Sequence, residues 1–229
     1  MPACGGPALN YGMHALTLFL LQGPETAINV DLAWSASTRA RLATLSHPHR
    51  RRQFALARLA LLTAASQALG QRVALDAIVE QVDDAPVFAP HPQLHTSISH
   101  SGDWVAAMVD AHPIGIDIEV PRRRNWGALG RQAFSDGDLA WLNAAPDTLT
   151  LQHRFYTLWT LREAAYKGGH RDHVYGRPDV IPTGTTLAFG ELAESGPGAG
   201  LQWAVSAPLP VRVHVATLTL DDYLAAVAA

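Results

Sequence analysis

Apolar positions along this chain follow two spacings, one suited to strands and one to helices. The stretch His14 to Leu21 is nearly all apolar but far short of a membrane span, which predicts a strand. Alternation continues from Ala27 to Leu32. His47-Pro48-His49 should open a helix, because a proline in the first turn forfeits no hydrogen bond. From Arg50 to Leu69 the residues Phe54, Ala57, Leu61, Ala65 and Ala68 recur at three- and four-residue steps, until Gly70 stops the helix. Ala85 to Pro92 holds three prolines and predicts a loop. Trp104 to Val109 and Ile114 to Val120 predict two strands joined by a turn at Asp110-Ala111-His112-Pro113, with Pro121 closing the second. Leu139 to Trp141 and Leu149 to Tyr166 are helical in pattern, the latter ending at Gly168-Gly169 and placing Phe155, Leu158, Trp159 and Ala165 near one face. Thr186 to Phe189, Leu201 to Val205 and Val211 to Leu218 predict three further strands, with a glycine-rich turn at 196–200. Strand, helix, strands thus occurs twice, which predicts an α+β protein of two similarly built halves, 1–112 and 113–229.

Composition narrows the class. A length of 229 residues, 48% hydrophobic and 16% charged, is enough for one large core or two small ones and excludes a disordered chain. The net charge of −3 argues against a general nucleic-acid binder, so any anion site must be a local cluster of Arg, Lys or His. Cys4 is the only cysteine, which excludes an intrachain disulfide and a cysteine-rich zinc site and suits a reducing cytoplasm. No run has the length of a membrane span.

Three segments could carry chemistry. In Gly115-Ile116-Asp117-Ile118-Glu119 the two acids alternate with apolar residues, so in a strand both carboxylates share one face. Paired carboxylates repel unless a cation joins them, and hard oxygens favour Mg²⁺; an edge strand with solvated acids has the same pattern. In the segment Trp159 to Lys167, Glu163 and Lys167 stand one helical turn apart, a functional spacing that is also the ordinary stabilising pair. Ala164 and Ala165 leave room beside that turn. Ser97-Ile98-Ser99-His100-Ser101-Gly102-Asp103, just before a strand, is better suited to binding a phosphate than to a hydrolase triad, since neighbours in sequence rarely meet the triad geometry. A polar turn with an exposed histidine fits the segment equally. On the helix after Pro48, Arg51 and Arg58 lie two turns apart and face one way, flanked by Arg50 and Arg52; a solvated basic face has the same appearance.

In order and spacing these segments resemble the 4′-phosphopantetheinyl transferases of the monomeric, two-halved type, from about Arg50 to Lys167. The anchors are Ser97-Ile-Ser-His-Ser101, Gly115-Ile-Asp-Ile-Glu119, Phe134-Ser135 with Asp138, and Trp159-Thr-Leu-Arg-Glu-Ala-Ala-Tyr-Lys167. The resemblance implies a pseudo-duplicated fold with coenzyme A between two α+β halves. It implies Asp117, Glu119 and Glu163 as magnesium ligands, with Glu163 also a candidate base. It implies Lys167 on the pyrophosphate, His100 with Ser99 on a phosphate, and Arg51, Arg52 and above all Arg58 on the 3′-phosphate. The partner would be an apo acyl or peptidyl carrier protein, whose acidic helix Arg122, Arg123 and Arg124 could meet; neither nucleic acid nor membrane is expected. Where the family usually has Lys-Pro, this chain has Ala85-Pro86. That motivates a second reading, a non-catalytic coenzyme A or carrier-protein binding module of the same fold. A magnesium-dependent phosphohydrolase built on the same carboxylates is a third.

Overall fold

A computed structural model describes residues 14–23, 32–170, 186–192 and 200–219. It is a mixed α+β protein. Strand β1 (His14–Gln22) is followed by helix α1 (Ala36–Thr44), which Ser35 caps by accepting from Thr38 N–H at 3.2 Å. Helix α2 (Pro48–Leu69) starts on Pro48 and ends at Gly70 in the left-handed region, φ 63°, as the sequence spacing predicts. It buries more than one stripe: Ala55, Leu56, Leu59, Ala60 and Leu62 are covered as well, because α2 lies between a sheet and the Trp34, Ile78 and Phe88 side chains. The short strands β2 (Ile78–Val79) and β3 (Val87–Phe88) pair with each other.

Next come β4 (His95–Ser101), β5 (Trp104–Asp110) and β6 (Gly115–Glu119). The polar run at Ser97 is therefore neither turn nor loop but a strand, and it forms a hairpin with β5 through Gly102, φ 58°. β5 and β6 are both strands, as expected, yet they lie in different sheets, so the turn at 110–113 is a crossing between layers. Helices α3 (Trp126–Ala133), α4 (Asp136–Asn143) and α5 (Thr148–Lys167) follow, then β7 (Thr186–Glu191), β8 (Gln202–Ala207) and β9 (Val211–Leu218). The alternation expected at 27–31 and most of the turn at 196–200 lie outside the described residues. α1 and α3 have no counterpart in the sequence reading, since each is under three turns long and presents few apolar repeats.

One sheet has the order β4-β5-β1-β9, with β9 parallel to β1; the other has the order β6-β8-β7. α2 covers one face of the first sheet, with Leu21, Val105 and Ala107 in that core. Leu16, Leu18, Leu20 and Met108 meet Ile116, Ile118 and Val205 between the sheets. α5 packs on β6 and β8, and Phe155 and Tyr156 join it to Trp126, Phe134 and Leu142 of the α3–α4 segment. Ser135 and Asp138 form the capping box of α4, and Asp138 pairs with Arg162 of α5. The acid after Phe134-Ser135 thus orients the helix that carries Glu163. No helix among the described residues is long and apolar enough to cross a membrane.

Candidate active site

β4 and β6 are edge strands of different sheets, and three serines join them. The Oγ atoms of Ser97, Ser99 and Ser101 accept from the backbone N–H groups of Ile116 (2.9 Å), Ile118 (3.3 Å) and Val120 (3.0 Å). Side chains here stand in for a backbone ladder, satisfying edge donors that would otherwise be buried unpaired. The same hydroxyls donate onward: Ser99 to Asp117 Oδ1 at 2.7 Å and Ser101 to Glu119 Oε2 at 2.7 Å. Ser99 and Ser101 therefore both bind β6 and orient its acids, while Ser97 binds β6 alone. Alternation of serine with Ile98 and His100 was the signal for this arrangement, but it reads as a turn when polarity alone is weighed.

α5 approaches β6 closely because Gly115 allows it. A Cβ on Gly115 would lie 1.9 Å from the Ala164 carbonyl oxygen, so no other residue fits there without moving the helix. This contact brings Glu163 and Lys167 over Asp117. Lys167 Nζ donates to Asp117 Oδ1 at 2.7 Å and to Ser99 Oγ at 3.2 Å. The other oxygen of Asp117, Oδ2, is buried without a hydrogen-bond partner. Burial pushes the Asp117 carboxyl above its ordinary value, against the opposing pull of Lys167 and Ser99. Burial also raises Glu119, which gains a hydrogen bond from Ser101 but feels Asp117, and it raises Glu163, where Asp117 adds to the effect. Asp117 thus raises both glutamates.

Ser99, Asp117, Glu119, Glu163 and Lys167 line a cleft of about 470 Å³ together with Arg41, Arg50, Gln53, Phe54 and Arg58. His100 also lines it, and Arg50 donates to its Nε2 at 2.9 Å. Partial burial, then the Arg50 and Lys167 cations, lower the His100 pKa to about 4. His100 is nonetheless exposed at the surface, so solvent screens part of this effect. Of the expected arginines, Arg58 reaches the cleft but is itself nearly buried, forked onto Glu80 (Nε–Oε1 3.0 Å, Nη2–Oε2 2.5 Å) and stacked on Phe54. Arg51 turns to the end of α1, donating to the carbonyls of Leu42 (2.6 Å) and Leu45 (3.3 Å), and Arg52 is not among the lining residues. Arg41 and Arg50 as cleft cations, and Glu80 as the partner of Arg58, are not legible in the sequence. No local motif marks them, because α1 and the segment before β3 join the cleft only in the folded chain.

The donor set fits a hard divalent cation: three carboxylates, all raised, one with an orphaned buried oxygen. Their ligand atoms do not close to within 4.8 Å of one another; among the described residues the group that does is His14, Asp110 and His112. Lys167 neutralises Asp117 instead. Acids able to take a metal thus share one cleft with a lysine, a histidine and arginines able to take phosphates, a donor set whose chemistry suits a polyphosphate ligand.

Comparison with known proteins agrees with that class. Residues 113–172 match the model of the 4′-phosphopantetheinyl transferase superfamily, a span that holds β6, the α3–α4 segment and α5. The 4′-phosphopantetheinyl transferase AcpT of Escherichia coli (strain K12) is 36% identical over 141 residues, 60% of this chain and 66% of its own length. A putative 4′-phosphopantetheinyl transferase of Haemophilus influenzae is 33% identical over 103 residues, 43% of each chain. A 4′-phosphopantetheinyl transferase of Bacillus subtilis is 32% identical over 136 residues, 59% of each chain. The chain thus spans about two fifths to two thirds of the length of these relatives. It is a relative of the 4′-phosphopantetheinyl transferases, as the motifs imply.

Proposed function

We propose that this protein transfers the 4′-phosphopantetheine group of coenzyme A to a serine hydroxyl of an apo acyl or peptidyl carrier protein, with Mg²⁺, releasing 3′,5′-adenosine bisphosphate. The observation that carries the proposal is the convergence of Asp117, Glu119, Glu163, Lys167 and His100 on one cleft. Asp117, Glu119 and Glu163 would hold the magnesium ion. Bound there, it would supply charge neutralisation to the pyrophosphate. Lys167, bonded to Asp117 in the ligand-free protein, turns to the pyrophosphate once that carboxylate has another counter-charge. His100 and Ser99 take a phosphate, and Arg58 takes the 3′-phosphate by exchanging Glu80 for it, with Arg51 and Arg52 as flanking cations. The carrier serine attacks the β-phosphorus, its proton passes to Glu163, and the bond to the adenosine bisphosphate oxygen breaks. A carboxylate raised by burial is a better base than an exposed one, which supports Glu163 in that role.

The fold proposal accompanies it: two similar halves, 1–112 and 113–229, each a helix laid on a sheet, α2 in one and α5 in the other. β9 belongs to the second half by sequence and pairs in the first sheet. We place the protein in the cytoplasm as a monomer. Incubation with coenzyme A, magnesium and apo carrier proteins, followed by weighing the carriers, tests the reaction. Modified carrier supports it, and unmodified carrier despite bound coenzyme A sinks it.

A further inference from the structure

None of His14, Asp110 and His112 lines the cleft. His14 opens β1, Asp110 ends β5 at the end away from the Gly102 hairpin, and His112 lies in the turn that crosses to β6. His14 Nε2 stands 2.8 Å from Asp110 Oδ1, and His112 Nδ1 stands 3.1 Å from Oδ2. The backbone N–H of His112 donates to Oδ2 at 2.9 Å, and the two imidazoles meet edge to face with centroids 5.6 Å apart. One ligand atom from each of the three residues lies within 4.8 Å of the others. Burial pushes the Asp110 carboxyl up, but the hydrogen bonds from His14 and His112 outweigh it and hold the group below its ordinary value, so it is an anion.

We propose that His14, Asp110 and His112 form a binding site for a divalent transition-metal ion of the zinc kind, separate from the acid-lined cleft. Two imidazole nitrogens and one carboxylate are borderline donors that prefer Zn²⁺, Ni²⁺ or Cu²⁺, whereas the cleft offers only hard oxygens. Each ring nitrogen that faces Asp110 can release its proton to the outer nitrogen of the same ring, so both imidazoles can ligate in the neutral form. Three protein ligands leave a position for water, the pattern of an open site. The ligands come from the first strand, its antiparallel neighbour and the crossing to the second sheet, so an ion there would clamp the two sheets together at that end.

The test does not use transfer activity, so its failure leaves the cleft reading untouched. Metal-free protein is titrated with Zn²⁺ in excess Mg²⁺ by calorimetry, and bound zinc is counted by elemental analysis after desalting. One zinc per chain that survives desalting, with a raised melting temperature, is expected. His112→Gln, in an exposed turn, should weaken binding by about tenfold or more, Asp110→Asn likewise, and His153→Ala should not. Zinc too weak to survive desalting, or bound equally by the His112 and Asp110 variants, overturns the proposal.

Discussion

At the scale of single residues, the cleft shifts the pKa of one histidine down and of three acids up. His100 has its pKa lowered to about 4 from 6.5 by burial and by Arg50 and Lys167. A lowered histidine contributes stability above its unfolded value, and that contribution is lost as pH falls from about 6.5 towards 4. A phosphate beside the ring reverses the electrostatics, so coenzyme A binding near pH 6 should be accompanied by proton uptake. Calorimetry in two buffers of different ionisation enthalpy measures it; identical heats would show that His100 does not meet the phosphate. Glu163 is displaced the other way, raised from 4.5 by burial and Asp117. A raised acid stabilises the fold while protonated, and this is lost as pH climbs from the ordinary carboxylate range through the raised value. Glu163→Gln should therefore stabilise the metal-free protein at pH 8 by up to about 1 kcal/mol, the partly solvated site screening the rest, with no gain at pH 4. It should also abolish transfer. Equal melting curves at pH 4 and 8, with transfer intact, would return Glu163 to an ordinary helix pair with Lys167.

Between elements, the serine ladder from β4 to β6 sets where the acids point. Ser97 bonds the Ile116 N–H and no carboxylate, so Ser97→Ala leaves one buried donor unpaired and should cost about 1–3 kcal/mol in urea unfolding. Hydrogen exchange at Ile116 should accelerate with it. Unchanged exchange there would mean that the Ile116 N–H does not depend on the hydroxyl. Gly115→Ala is the harsher change, since its Cβ would run into the Ala164 carbonyl and push α5 off β6. Loss of more than about 3 kcal/mol, or failure to fold, is expected. The helices themselves were legible in the sequence, α2 from Pro48 to Gly70 and α5 up to Gly168, because both carry start and stop residues around long periodic runs. β4 was not, because serines that bond a neighbouring strand have the same composition as serines in a turn.

At the scale of the molecule, chain order and spatial order part company. β9 is the last described strand and pairs in parallel with β1, the first. Truncation before Val211 should therefore expose β1 as a sheet edge and speed hydrogen exchange at Leu16, Leu18 and Leu20. Protection unchanged at those amides would show that β9 contributes nothing to the first sheet. The proposed cleft makes a second demand: because coenzyme A would add oxygen ligands, metal and coenzyme should each tighten the other by the same factor. Calorimetry with magnesium and with chelator checks it, and coenzyme A affinity independent of the metal counts against the shared site. The sequence by itself determined the apolar periods, the paired acids Asp117 and Glu119 on one strand face, the one-turn spacing of Glu163 and Lys167, and the kinship these motifs carry. All of these depend on residues near one another along the chain, where pleat and helical rise fix the geometry. Only the tertiary structure decided that Lys167 neutralises Asp117, that Glu80 holds Arg58, that Arg41 and Arg50 join the acids in one cleft, and that His14 meets Asp110. Those pairings join residues far apart along the chain, and no local period records which strand edge or helix face will close upon which.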